Sequence, residues 1–249
     1  MLDMGFAPDV RRILNALPTE RQTMLFSATI SADVDRLAQR AMQGHASVEI
    51  GRRAAPAEGV EHVLVAVDKI QKRDVLAKIL QAKPEGRSLV FTRTKYGADK
   101  LVTFLRREGI EAHALHGDKA QSHRQRTLEA FRTGGAGQDI LVATDIAARG
   151  IDVDDIRMVV NYDVPTDPEV YVHRVGRTAR AGQRGVGLTL MSPDEWLLMV
   201  DIEKLVGQTF PREVIPGFEP SVAPMAPRVV KEVARPARSI RARAGRVRR

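Results

Sequence analysis

From residue 60 onward the chain alternates between two patterns of apolar and polar positions. Short apolar runs of strand length fall at 60–67, 88–92, 112–115, 140–143, 158–162 and 187–191. Between them, at 70–81, 96–108, 121–133, 168–175 and 194–206, apolar residues recur at helical spacing. The first pattern predicts strands covered on both faces, and the second predicts amphipathic helices. Strands alternating with helices define an α/β fold, a three-layer arrangement of a parallel sheet with helices on both faces. Ligands of such sheets bind at loops after the carboxyl ends of the strands. The polar clusters of this sequence fall there.

The N-terminal part shows the same alternation with too few members. Val10, Ile13, Leu14 and Leu17 have helical spacing and Pro18 stops them; 23–28 and 46–50 read as strands. Ser31 is placed to cap a helix carrying Val34, Leu37, Ala38 and Ala41. Two buried strands need sheet partners that this segment lacks, so residues 1–50 are expected to be the remnant of a preceding domain. Residues 51–59, GRRAAPAEG, read as a linker, and 60–210 as the complete domain. From 211 to 249 Pro and Val recur without period and arginine takes over. That composition predicts a basic, disordered tail.

Composition narrows the class of partner. The formal net charge of +8 favours an anionic ligand, with nucleic acid the first candidate. Apolar residues make up 43% of the chain, enough for an ordinary core. No apolar run approaches the roughly 20 residues needed to span a bilayer, and the N-terminus lacks the pattern of a signal peptide. There is no cysteine, which excludes disulfides and thiolate metal sites and fits a cytoplasmic location.

The chemistry concentrates in residues 171–182, YVHRVGRTARAG. Arg174, Arg177 and Arg180 recur every third position, a spacing that puts them on roughly one face if the segment is helical. Few carboxylates lie nearby in sequence, so an anion is expected among them. Arginine suits phosphate through its planar fork and permanent charge. A solvated basic helix face is the plain alternative. A second dense stretch, 140–152, ILVATDIAARGID, is an apolar strand ending at Thr144 and Asp145. Two others follow strands: SLVFTRTK at 88–95 and HGDKAQSHR at 116–124. His113 and His116 form an H-x-x-H pair, but no third metal ligand is evident. Ser192, Pro193 and Glu195 read as a helix start with a capping box, not a metal motif. Gly109 and Gly134-Gly135 read as helix C-terminal glycines.

The string His173, Arg174, Gly176, Arg177, Arg180 resembles an arginine motif of the DEAD-box RNA helicases. Ser27-Ala28-Thr29 and the 88–95, 116–124 and 140–152 stretches resemble further motifs of that family in the family's order. The resemblance covers about residues 1 to 210 and, within the family, is nearest the bacterial RhlE-like group. It implies a RecA-like domain, the second of the two in such helicases. It implies that Arg177 and Arg180 act catalytically as arginine fingers on ATP, with Gly150 and Asp152 also at the nucleotide. It assigns RNA contacts to Thr94, Gly117, Gln121, Arg124 and Thr144. It assigns coupling between domains to Ser27, Thr29, Asp145, His173 and Arg174. ATP and Mg²⁺ are then cofactors of the complete protein and not of this chain alone.

The sequence holds no G-x-x-x-x-G-K-[ST] phosphate loop and no Asp-Glu-Ala-Asp. The resemblance therefore implies a truncated chain whose partners are RNA and an N-terminal helicase domain. A non-catalytic RNA-binding module, or the matching half of a DNA helicase, is the alternative. An in-frame phosphate loop encoded upstream of Met1 would decide between the first reading and the second.

Overall fold

The computed structural model describes residues 6–27, 32–42, 44–48, 59–82, 86–135, 137, 139–148, 151, 153, 155–180 and 183–222. Two helices come first, α1 (Ala7–Ala16) and α2 (Ala32–Ala41). The main domain then runs β1 (Val60–Ala66), α3 (Lys72–Gln81), β2 (Arg87–Phe91), α4 (Lys95–Arg107), β3 (His113–Leu115) and α5 (Gln121–Thr133). It continues with β4 (Ile140–Ala143), α6 (Asp145–Ala148), β5 (Ile156–Asn161), α7 (Pro168–Val175), β6 (Gly185–Met191), α8 (Trp196–Val206) and β7 (Arg212–Glu213). The strands form a seven-stranded sheet in the order β3-β4-β2-β5-β6-β1-β7, and every pairing is parallel.

Alternation along each strand feeds two cores. Leu89 and Phe91 of β2, Leu141 and Ala143 of β4 and Val159 of β5 face one side, where they meet Phe131, Tyr171, Val172 and Met199 from α5, α7 and α8. Val90, Val142, Met158 and Val160 face the other side and pack on α3 and α4 through Val75, Leu76, Leu101 and Leu105. Strands that bury both faces read as near-continuous apolar runs, which is why the six longer strands stand out in the sequence. The three-layer fold is as expected. Gly109 (φ 75°) and Gly134 (φ 71°) end α4 and α5 in the left-handed region, as their positions predict. Ser192 donates its hydroxyl, and its backbone N–H, to the Glu195 carboxylate at the start of the turn leading into α8.

Three expectations need correction. Residues 23–27 and 44–48 join no ladder; a strand exists only with a partner, and apolar side chains there, Met24, Phe26 and Val48, are exposed. Position 28, like 49 and 50, lies outside the described residues. Second, Pro211 does not open an unstructured segment. The Leu64 N–H donates to the Pro211 carbonyl, β7 adds to the edge of β1, and 214–222 straps across α3. Lys78 donates to the Pro216 carbonyl, and the Ser221 N–H and hydroxyl donate to Asp68. Residues 223–249, the rest of the expected tail, lie outside the described residues, as do 51–58 of the expected linker. Third, α6 and β7 were not foreseen; each is too short for a periodic signal. No helix among the described residues is long and apolar enough to cross a membrane.

Since α1 buries no residue and α2 buries only Ala38 among its described side chains, deleting residues 1–50 should leave the melting temperature nearly unchanged and raise solubility by removing exposed apolar surface. A large drop in melting temperature would make the segment integral to the domain.

A second expectation concerns acid stability. His62 is buried and stacks on Phe210 with ring centroids 4.6 Å apart, and its Nδ1 lies 2.7 Å from the Tyr171 hydroxyl. Burial lowers its pKa below the usual 6.5. The unfolded chain therefore binds a proton at a pH where the folded one does not. This contribution to stability is complete above pH 6.5 and is lost as pH falls from there through the depressed folded value. His62→Phe should flatten that part of the stability–pH curve in urea titrations. An unaltered curve would show that His62 does not carry the acid limb.

Candidate nucleotide and nucleic-acid site

Because every strand runs the same way, all their carboxyl ends share one edge of the sheet. Leu115, Ala143, Phe91, Asn161 and Thr189 lie in register across it. The residues immediately beyond therefore form a row, and the sequence-predicted residues Gly117, Thr144 and Thr94 follow the adjacent strands β3, β4 and β2. Thr144 is buried; its N–H donates to the Leu115 carbonyl and its own carbonyl accepts from the Ala148 N–H, opening α6. Thr94 is exposed and caps α4, with Oγ1 accepting the Gly97 N–H at 3.0 Å.

The turn 116–119 is tied to α4. Lys119 Nζ donates to Asp99 Oδ1 at 2.8 Å, and His116 Nε2 lies 3.0 Å from Asp99 Oδ2. Lys95 Nζ reaches Asp118 at 2.6 Å beside Gly117. Burial pushes the Asp99 carboxyl up, but hydrogen bonds from Lys119 and His116 outweigh it and hold the group below the ordinary range. His113 is engaged elsewhere, with Nε2 3.2 Å from the Gly137 carbonyl. Helix α5 begins just after the turn. Gln121 is its exposed first residue, and Ala120 before it offers no side-chain cap to the first-turn N–H groups, the kind of helix start that receives anions. Arg124 is half-buried, and its Nε has no partner among the described residues.

The arginine triplet is arranged differently from its spacing. Asp167 caps α7 by accepting the Glu169 N–H, Pro168 occupies the first turn, and the helix stops at Gly176. Only Arg174 is on the helix; Arg177 and Arg180 lie on the turns beyond it, so the three do not share a helix face. Nor is Arg174 short of a carboxylate. It is 3% exposed and forms a two-point pair with Asp145, at 2.6 and 2.8 Å. Its Nη1 also donates to Asn161 Oδ1 and the Asp163 carbonyl, and its guanidinium lies 5.0 Å from the Phe91 ring centroid. Arg177 Nη1 donates to the Ile151 carbonyl at 3.2 Å, and Arg180 Nε to the Gly176 carbonyl at 3.3 Å. Thr178 Oγ1 donates to the Ile156 carbonyl between them. A small cleft is lined by Phe91, Asp145, Ala148, Val170, His173, Arg174 and Arg177.

The structure thus brings Asp145, His173, Arg174 and Arg177 together, with Arg180 on the same loop, and sets Thr94, Gly117, Gln121, Arg124 and Thr144 at the carboxyl ends of β2, β3 and β4 and the start of α5. Ser27 is exposed in the segment between α1 and α2. Thr29, Gly150 and Asp152 lie outside the described residues. Sequence reasoning missed Phe91, Asn161 and Asp163 as the seat of Arg174, and Asp99 as the anchor of the 116–119 turn. Only the strand ends at Phe91 and Asn161 carried a signal, as the residues bordering the polar loops.

A parallel α/β sheet with a buried arginine clamp and an arginine-bearing loop at its carboxyl edge belongs to the RecA-like class. The family described as helicase conserved C-terminal domain matches residues 71–182. The ATP-dependent RNA helicase DBP2 of Ajellomyces capsulatus is 44% identical over 199 residues, covering 78% of this chain and 36% of that protein. The DEAD-box ATP-dependent RNA helicase CshA of Bacillus licheniformis is 37% identical over 222 residues, covering 89% and 45%. Among solved structures, S. cerevisiae Dbp5 bound to RNA and ADP BeF3 superposes with a TM-score of 0.75 at 30% identity, covering 83% of this chain and 55% of that one. The E. coli DEAD-box protein SrmB, bound to regulator of ribonuclease activity A, superposes with a TM-score of 0.62 at 32% identity, covering 69% and 99%. The chain belongs to the DEAD-box helicase family, whose conserved C-terminal domain it carries. It spans less than half the length of the two curated relatives.

Proposed function

We propose that the chain supplies the second RecA-like domain of an ATP-dependent RNA helicase, working against an N-terminal domain that brings the phosphate loop and the Asp-Glu-Ala-Asp string. The observation that carries this reading is the strand-end row of Gly117, Thr144 and Thr94 beside the Asp145–Arg174 clamp. It puts the residues assigned to RNA and the arginine-bearing loop at the same edge of the sheet, which supports this reading. Residues 1–50 belong, on this reading, to the preceding domain, and the sequence of the linker 51–59 and the stretch 60–76 resembles the RhlE-like group. A cytoplasmic location goes with it.

ATP suits the arginine loop. A guanidinium carries five N–H donors and a permanent charge; Arg177 donates to the Ile151 carbonyl and Arg180 to the Gly176 carbonyl, which ties both to the loop. Those two residues, with Gly150 and Asp152, would hold the nucleotide, and ATP supplies the phosphoryl group whose transfer drives the cycle. Mg²⁺ would come with the N-terminal domain. Arg174 and Asp145 fix α7 to the sheet, so that the loop after it keeps its position. Thr94 and the α5 start direct N–H groups and hydroxyls at RNA phosphates, and Thr144, opening α6, joins the RNA edge to Asp145.

The test is reconstitution. The 249-residue chain alone should not hydrolyse ATP. Joined behind a DEAD-box N-terminal domain it should show RNA-stimulated hydrolysis, and Thr144→Ala should reduce the RNA stimulation more than ATP binding. RNA-stimulated hydrolysis by the purified chain alone would refute the division of labour, and a joined protein indifferent to RNA would refute the assignment.

A further inference from the structure

A groove of about 660 Å³ lies between α3 and α4, on the sheet face opposite α7. Its walls include Arg73, Tyr96, Lys100, Phe104, Arg107 and Tyr162. The α4 members follow helical spacing down one stripe, which from residue 96 to 107 is about 16 Å long at the helical rise. Tyr96 is 69% exposed, and Lys100 Nζ sits 4.4 Å from its ring centroid. Among the described residues no carboxylate pairs with Lys100 or Arg107, and Asp99, also in the wall, is taken by Lys119 and His116. Arg73 lies 3.6 Å from Asp74, so Lys100 and Arg107 carry the net positive charge of the groove, with a large aromatic ring open at its upper end. Nothing in the strand-end site uses it.

Its position identifies the ligand. Thr94, two residues before Tyr96, ends the row that runs Gly117, Thr144, Thr94 over β3, β4 and β2. The next strand in the sheet is β5, and the residue after β5 is Tyr162, which lines the groove. Neighbouring strands are only about 4.8 Å apart, so the groove opens where the row would continue. An exposed ring flanked by cations is the arrangement that binds single-stranded nucleic acid, bases stacking on the ring and phosphates meeting the charges. An acidic peptide with an apolar anchor fits less well. Arg73 already lies 4.9 Å from the Phe104 centroid, over the ring such an anchor would use.

We propose that the α3–α4 groove is a second RNA-binding surface, a stacking and phosphate track that carries a single strand from Thr94 over Tyr96 to Lys100 and Arg107. This rests on the assignment of the strand-end row to RNA. The strand in the groove is read without base preference, because every base has a face to stack.

Fluorescence anisotropy of the full chain with labelled oligouridine of about 6 and about 12 nucleotides, lengths that bracket single-strand sites, tests it at about 0.15 M salt. Tyr96→Ala should weaken the longer oligonucleotide by about fivefold or more and spare the shorter. Tyr96→Phe should restore it. Lys100→Glu with Arg107→Glu should reduce the salt slope by about 0.7 for each phosphate that is no longer neutralised. Tyr96 is exposed, so melting temperatures should match, and the phenylalanine variant separates stacking from folding. A wild-type chain that binds neither oligonucleotide overturns the assignment of the strand-end row to RNA and this one with it. Binding that Gln121→Ala weakens but Tyr96→Ala does not overturns the groove alone. A tryptophan-containing oligoglutamate peptide that binds, is lost with Tyr96→Ala, and leaves RNA affinity untouched would make the groove a protein-docking site and overturn it too.

Discussion

Asp145→Ala should lower the unfolding free energy by about 3–5 kcal/mol, the range for breaking a buried pair by removing one partner. The two members of the pair are unequal. Asp145 keeps 38% of its side-chain surface in contact with solvent, whereas Arg174 keeps 3%. Removing the aspartate takes the two-point acceptor from a guanidinium that is itself almost fully buried. Removing the arginine leaves a carboxylate that can hydrate, so Arg174→Ala should cost less through charge. It still loses the donors to Asn161 and Asp163 and the packing on Phe91. Arg174→Met, which refills the volume against Phe91 and introduces no charge, should be the mildest of the three. Urea unfolding with linear extrapolation reads this order. Equal losses for all three, or an Asp145→Ala cost below about 1 kcal/mol, would mean that the clamp is not a structural element.

The same pair shows where sequence legibility ends. The strands were readable because burial on both faces turns them into apolar runs, and α3, α4, α5 and α7 because one stripe meets the sheet. Those are local consequences of the layers. Arg174 could be seen as an arginine near a histidine and glycines, but not as a buried one. Its carboxylate partner is 29 positions earlier and is brought to it by crossovers between β4, β5 and α7. Spacing predicted a shared helix face for Arg174, Arg177 and Arg180. The helix ends at Gly176, and a spacing rule has no force past a helix end. The strap over 214–222 was hidden for a related reason. Its Pro-rich composition lacks any period, while its order comes from the β1–α3 region: the Asp68 and Lys78 side chains and the edge of β1. The order of the site residues along the chain gave the edge they share, since parallel strands all present their loops at the same end.

The largest functional effect should come from the loop beyond α7. In the chain joined to a DEAD-box N-terminal domain, Arg180→Lys should lower turnover by about a thousand-fold, the scale on which an arginine finger acts. The argument is geometric. Phosphoryl transfer spreads charge over several oxygens, and a planar fork meets two at once, whereas an ammonium is a point charge on a flexible stem. The loop is held before any ligand arrives: Arg177 by Ile151, Thr178 by Ile156 and Arg180 by Gly176. Donors fixed in advance need no reorganisation when charge develops, which is where most electrostatic catalysis arises. Arg177→Ala should therefore also lose turnover, and Thr178→Val, which frees the loop without touching a phosphate, should lose less than either. The loss should appear in kcat with little change in nucleotide affinity, because on the proposed reading the charge these arginines would meet is greatest in the transition state. Single-turnover hydrolysis with saturating RNA separates that from slow product release. Turnover that survives both Arg177→Ala and Arg180→Ala in the joined protein would remove the arginine loop from the catalytic site.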